Sequence, residues 1–219
     1  MNNQFIHRRT KLAENLQSGI AVIPTAKEVV RNKDAHFPYR FDSYFHYLTG
    51  FGEPESVIVI IGGKTPSSIL FCRGKNKEKE IWNGFRHGPE AAKNLLHCDE
   101  AYSIDEIDQI LPQLIENKDA IYTPLGIDAS WDQQIMSWLN QTRSRVREGI
   151  AAPEGLIDVR GMLDEMRLFK DPSELDTMRQ AAKISAEAHV LAMTATKPGK
   201  YEYAIEAEFL YHFKKNGSQ

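Results

Sequence analysis

FDSYFHYLTGFGEPESVIVII, residues 41–61, is the stretch from which the rest of the chain can be read. Its last five residues, Val57 to Ile61, are an unbroken β-branched run closed by Gly62-Gly63. Such a run predicts a core strand buried on both faces. The half before it crowds Phe41, Tyr44, Phe45, Tyr47 and Phe51 ahead of Gly52, Glu53, Pro54 and Glu55. Gly50 and Gly52 permit a backbone turn, and Pro54 fixes its own φ. An aromatic cluster, a turn and two acids therefore lead into a core strand.

Upstream, Phe5, Leu12 and Leu16, with Ile6 and Ala13, lie at helical spacing, and Ser18-Gly19 ends that helix. Ile20 to Ile23 predicts a short strand stopped by Pro24, followed by a polar loop, TAKEVVRNKDAHFPYR. Downstream, Ser68 to Cys72 predicts a second strand, and RGKNKEKE reads as a solvated loop tip. EIWNGFRHGPEAAKNLL reads as a short apolar segment, a glycine-rich loop and a helix with Pro89 just inside it. Ser103 and Glu106 have capping-box spacing, Ala120 to Tyr122 predicts a strand, and Trp131, Ile135, Trp138 and Leu139 mark a further helix. Strands alternating with helices predict an α/β layer structure.

After Pro153 the texture becomes helical. Leu156 to Phe169 reads as one helix. Asp171, Pro172 and Glu174 fit the N-cap, N1 and N3 positions of the next, which Lys197-Pro198-Gly199 ends. Tyr201 to Lys215 forms the last, stopped by Asn216-Gly217. Two amphipathic helices need a surface to cover, and no strand follows them, so a second domain that is cut short is expected.

The bulk properties exclude several function classes. The 219 residues are 42% hydrophobic and 26% charged, which suits one or two globular domains. A net charge of -3 gives no electrostatic reason to expect nucleic acid. No apolar run is long enough to cross a bilayer. The polar N-terminus lacks the apolar core of a signal peptide. Cys72 and Cys98 lack metal-ligand spacing and read as buried thiols, which points to the cytoplasm.

No HExxH, CxxC pair, GxSxG, P-loop or GxGxxG is present. His7, His36, His46, His87, His97, His189 and His212 never pair at i, i+3 or i+4. The residues alone therefore show no complete active site, no catalytic group and no metal site.

Three segments, RNKDAHFPYRFDSYFHYLTGFGEPESVIVI, EIWNGFRHG and DVRGMLDEMRLFKDPSELDTMRQAAKISAEAH, together resemble aminopeptidase P, the Xaa-Pro aminopeptidases, with their relatives prolidase and creatinase. The resemblance runs in order from about Phe5 to Gly217. It implies a creatinase-like α/β N-terminal domain, a mixed sheet flanked by helices, over residues 1–155. A linker helix over 156–170 and the first helices of a truncated α+β pita-bread domain over 171–219 would follow. It implies a peptidase acting on peptides with proline at position two, working as a homo-oligomer, a dimer or tetramer. Two divalent metal ions, manganese foremost, would be held by two Asp, one His and two Glu downstream of Gly217. None is expected in this chain, which alone would be inactive. A prolidase cutting Xaa-Pro dipeptides, or a metal-free binding module of the same fold, are the alternatives.

The resemblance also gives the aromatic stretch a role in packing between domains and subunits, with Tyr44, Phe45 and Tyr47 suited to a partly wet interface. It places three residues at the substrate cleft. Trp82 would offer an apolar wall to a neighbouring subunit's site, and Asp34 and Arg147 would supply charge for the peptide's polar groups. Arg143 and Arg145 stand in the same run and are candidates for the same role. The structural alternatives are a core indole, a turn cap and a surface charge.

Overall fold

The computed structural model describes residues 3–218. Contacts divide the chain into two units, Met1–Asp164 and Glu165–Gln219. In chain order the first unit contains helix α1 (Asn3–Asn15), strands β1 (Ile20–Pro24), β2 (Val30–Asn32) and β3 (Ala35–His36), helix α2 (Ser43–Thr49), and strands β4 (Val57–Ile61) and β5 (Ser67–Cys72). Helices α3 (Lys77–Asn83) and α4 (Pro89–Leu96), strand β6 (Glu100–Ser103), helix α5 (Ile107–Leu114), strand β7 (Ala120–Thr123), helix α6 (Ala129–Ser144) and strand β8 (Gly155–Asp158) follow. The division falls within helix α7 (Arg160–Leu168).

Six strands form one mixed sheet in the order β6-β5-β4-β1-β7-β8. β4 runs antiparallel to both β1 and β5, while β5–β6, β1–β7 and β7–β8 are parallel pairs. One sheet face carries Ile20, Val22, Val57, Val59, Ile69, Phe71 and Ile121, packed with Leu111, Ile115, Ile135, Trp138 and Leu139 of the α5–α6 side. The alternate residues Ala21, Ile23, Ile58, Ile60 and Leu70 are buried too. Successive strand side chains point to opposite faces, so β1 and β4 are covered on both, as their β-branched runs require.

α2 was hidden in the aromatic stretch. Asp42 caps it, its carboxylate accepting from the Tyr44 and Phe45 N–H groups at 2.8 and 2.9 Å. Gly50 ends it in the left-handed region at φ 65°. A Cβ there would meet the Phe5 ring at 2.5 Å, so both the turn and the packing of α1 on α2 call for glycine. Phe45 and Tyr47 are buried in this chain, which removes them from the expected interface between subunits. Tyr44 instead donates through its hydroxyl to Asp164 at 2.8 Å.

Four local readings change. The loop after β1 holds the β2–β3 hairpin, a two-stranded sheet of its own. Half of the charged RGKNKEKE run is helical, because Asn76 caps α3 through the Lys79 N–H at 3.0 Å. Glu100–Ser103, where the sequence shows no element beyond the Ser103 cap, is a strand on the sheet edge. The helix expected from Leu156 starts only at Arg160. Residues Gly155–Asp158 pair in parallel with β7, and the Asp158 carboxylate accepts the Arg160 N–H at 3.0 Å, opening α7 there.

The second unit holds helices α8 (Pro172–Ala195) and α9 (Glu202–Lys215). Asp171 and Glu174 form a full capping box at the start of α8, with Pro172 in its first turn. The two helices pack on each other. Ile184, Ala188 and Ala192 are buried, whereas Met178, Val190, Met193 and Tyr211 are exposed. His189 meets the Phe209 ring edge-on at 5.0 Å between centroids.

Candidate functional site

The sheet topology sorts the three expected cleft residues. β1 and β5 run in the same direction, because each is antiparallel to β4. Asp34 lies in the β2–β3 turn, in the connection that leaves the end of β1. Trp82 lies on α3, in the connection that leaves the end of β5. Both connections therefore start from the same end of the sheet. Arg147 lies in the 3-10 turn Val146–Glu148, in the segment that enters β8 from the opposite end. That end is fixed by Asn117 N–H donating to Ala151 O at 2.8 Å and Glu154 N–H donating to Asp119 O at 3.1 Å. The first unit thus brings Asp34 and Trp82 to one end and leaves Arg147 at the other.

All three side chains are exposed. Of the neighbouring arginines, Arg145 is committed locally, paired with Glu116 and with Glu148. Arg143 donates to Asn140 at 3.1 Å, within its own helix. Neither Arg143 nor Arg147 has an ion pair among the described residues, so the ion pairs of this run belong to Arg145.

Trp82 is 87% exposed, beside Ile81 and Phe85, which are exposed too. Burying such apolar groups normally stabilises a fold by about 1.5–3 kcal/mol each, so their exposure needs an account. α3 itself buries no side chain. Isolated helices shorter than about 12–15 residues are marginal in water. What holds this seven-residue helix must lie at its ends.

Two polar ties meet there. In the first, Glu80 accepts the Arg86 N–H at 2.8 Å and pairs with Lys75 at 2.8 Å, while Lys75 donates to Arg86 O at 2.6 Å. The Lys75 contact, then the Arg86 N–H, hold the Glu80 carboxyl below its ordinary range. Lys75 also sits 4.0 Å from the centroid of the Phe85 ring. In the second tie, Glu53 accepts from the His87 N–H at 2.8 Å and from His87 Nδ1 at 2.5 Å. A carboxylate only accepts, so Nδ1 carries the proton. The other Glu53 oxygen faces Arg73 Nη2 at 3.5 Å.

Glu53 is one of the two acids that precede β4, and it is 9% exposed. Its carboxylate sits under the arm that carries Trp82. Arg73 and Arg86 are buried as well, each with an Nε that lacks a partner among the described residues. Uncompensated buried cations are costly, so Glu53 matters as counter-charge as well as acceptor. Its charge and, before it, burial push the neighbouring Cys72 thiol up to about 12. Sequence reasoning did not find this cluster. Glu53 and His87 are 34 residues apart, and only the antiparallel β4–β5 pairing brings them together.

Among the described residues, no three His, Cys, Asp or Glu side chains are placed to hold a metal ion. Cys72 and Cys98 are free and buried. No helix is long and apolar enough to cross a membrane.

Residues 5–122 match the family model described as Aminopeptidase P, N-terminal domain. The Xaa-Pro aminopeptidase of Escherichia coli (strain K12) is 40% identical over 219 residues, covering 99% of this chain and 50% of that protein. The Xaa-Pro aminopeptidase of Haemophilus influenzae is 36% identical, covering 97% of this chain and 47% of its own length. The solved structure of zinc-substituted E. coli aminopeptidase P in complex with product superposes with a TM-score of 0.96 at 40% identity, over 99% of this chain and 50% of that one. The chain spans about half the length of the curated relatives it matches.

Proposed function

The chain belongs to the aminopeptidase P family, and from that premise we propose that it is the N-terminal part of a metal-dependent Xaa-Pro aminopeptidase. The whole protein releases the N-terminal residue from peptides with proline second. The observation that carries this is the 40% identity sustained along 99% of the chain. An Xaa-Pro bond is a tertiary amide without an N–H and with a fixed φ, so its hydrolysis calls for a dedicated site. In this reading residues 1–155 are the creatinase-like domain, 156–170 the connecting segment and 171–219 the opening of the pita-bread domain. The cytoplasm, where thiols stay reduced, suits the two free cysteines.

Two divalent ions, manganese foremost, complete the enzyme. In this reading their ligands lie outside these residues, and among the described residues no cluster is placed to hold a metal ion. The part played here is to shape the cleft. Trp82 is lent to the site of a second subunit in a homo-oligomer, a dimer or tetramer, where its indole walls the residues beyond proline. Its exposure in this unit supports that reading over a core role. Asp34 leaves the same end of the sheet and serves the same cleft. Arg147 serves the peptide's polar groups from the opposite end, across a different contact.

Trp82→Ala tests this in the full-length protein. An exposed side chain away from the core changes stability by no more than about 0.5 kcal/mol. The expected result is an unchanged melting temperature with kcat/KM for a Xaa-Pro-Xaa peptide reduced roughly tenfold or more, through lost apolar and orienting contact. Unchanged kcat/KM per folded enzyme would remove Trp82 from the cleft.

A further inference from the structure

We propose that Glu53 is a positioning residue that sets the Trp82 arm for peptide binding, an inference that rests on the reading of Trp82 as a cleft residue. The arm is α3 with the turn after it, residues 77–88. Its helix buries nothing, so packing does not fix where the indole points. The order must come from the polar ties. The Lys75–Glu80–Arg86 tie holds the arm to Lys75, in the segment that leaves β5. Glu53 supplies the second tie, from the far end of the arm to the turn before β4, through two hydrogen bonds to His87 on one oxygen and through Arg73, which follows β5, on the other.

Glu53 is suited to this by its own surroundings. Ser56, three residues on, is tied to the strand entry, its carbonyl accepting from Thr25 N–H at 2.9 Å. The Phe51 ring lies 5.5 Å from the His87 ring. The carboxylate is thus delivered by a rigid turn, and a cleft group held in place before binding spends less of the binding energy on ordering.

The test compares Glu53→Ala and Glu53→Gln in the full-length protein, each alone and with Trp82→Ala. Glutamine presents one acceptor oxygen where the carboxylate presents two, so His87 and Arg73 are no longer both served. It decides the case if the alanine variant does not fold. Hydrogen exchange in residues 77–88 should quicken at least about tenfold while residues 57–61 keep their protection, as local rather than global opening requires. kcat/KM for a Xaa-Pro-Xaa peptide should fall, and should fall no further when Trp82 is already alanine. Unchanged exchange in 77–88, equal quickening in 57–61, or the same fold-loss in both backgrounds would each overturn the proposal. If Trp82→Ala alone has no kinetic effect, the cleft reading fails and the positioning role falls with it. The exchange data then still report separately whether Glu53 holds the arm.

Discussion

Arg9 offers the most demanding test of how the first unit is held together. It stands on α1 in the run His7-Arg8-Arg9, and it is 4% exposed despite its charge. Its guanidinium donates to Leu48 O at 3.0 Å, at the end of α2, and to Leu96 O at 2.6 Å, at the end of α4. One side chain thus closes two helix ends whose carbonyls have no partner within their own helices. Burial lowers the Arg9 pKa from its ordinary value, which marks the cost of bringing the charge inside. Hydrogen bonds from a charged donor are worth about 1.5–3 kcal/mol each, so the two contribute roughly 3–6 kcal/mol before that cost. Arg9→Met keeps most of the stem and removes the donors. The expected net loss is about 3 kcal/mol, because two carbonyls are stranded while a buried charge is removed. In a unit of this size that lowers the melting temperature by roughly 6–12 °C. Thermal and urea melts of the same variant give the number. A loss below about 1 kcal/mol would show that helix packing alone suffices there and that the guanidinium ties are incidental.

Two further outcomes follow from the titrating groups. His46 stacks on Phe41 at 3.9 Å, and its pKa is lowered first by burial and then by Arg8 and Arg40. The folded protein therefore disfavours the imidazolium, and stability is expected to decline as pH falls from about 6.5 toward the folded pKa. His46→Phe should flatten that part of a stability–pH curve, and parallel curves for variant and parent would contradict the assignment. Cys72, with its thiol at about 12, should resist alkylation at pH 8 in the folded protein and react on denaturation, and fast labelling of the native protein would show that strand β5 opens readily.

The sequence made legible the elements whose signals are local. The Val57–Ile61 run, the Asp171-Pro172-Glu174 start of α8 and the Ser103–Glu106 capping box all appear as read. Elements set by context escaped. α2 lacks a clear period because aromatics occupy both its faces, and only the Asp42 cap announces it. Leu156 continues a helical stripe, but pairing with β7 claims Gly155–Asp158 first. β6 is four residues long and sits on the sheet edge, too short for alternation to register. Of the candidate site, resemblance named Trp82, Asp34 and Arg147, while Glu53 was visible only as an unexplained acid before a strand. Its partners His87 and Arg73 come from the far side of β5, a juxtaposition no local pattern encodes.

The proposal that this chain is the N-terminal half of an Xaa-Pro aminopeptidase, with the metal site outside it, can be decided by a single assay. Release of the first residue from a Xaa-Pro-Xaa peptide and from its Xaa-Ala-Xaa counterpart is measured with manganese, for the full-length protein and for residues 1–219 alone. The full-length protein should cleave the proline peptide and spare the alanine one, and residues 1–219 should cleave neither. Turnover by residues 1–219 that survives repurification, or a folded, manganese-loaded full-length protein that leaves the proline peptide intact, would contradict it.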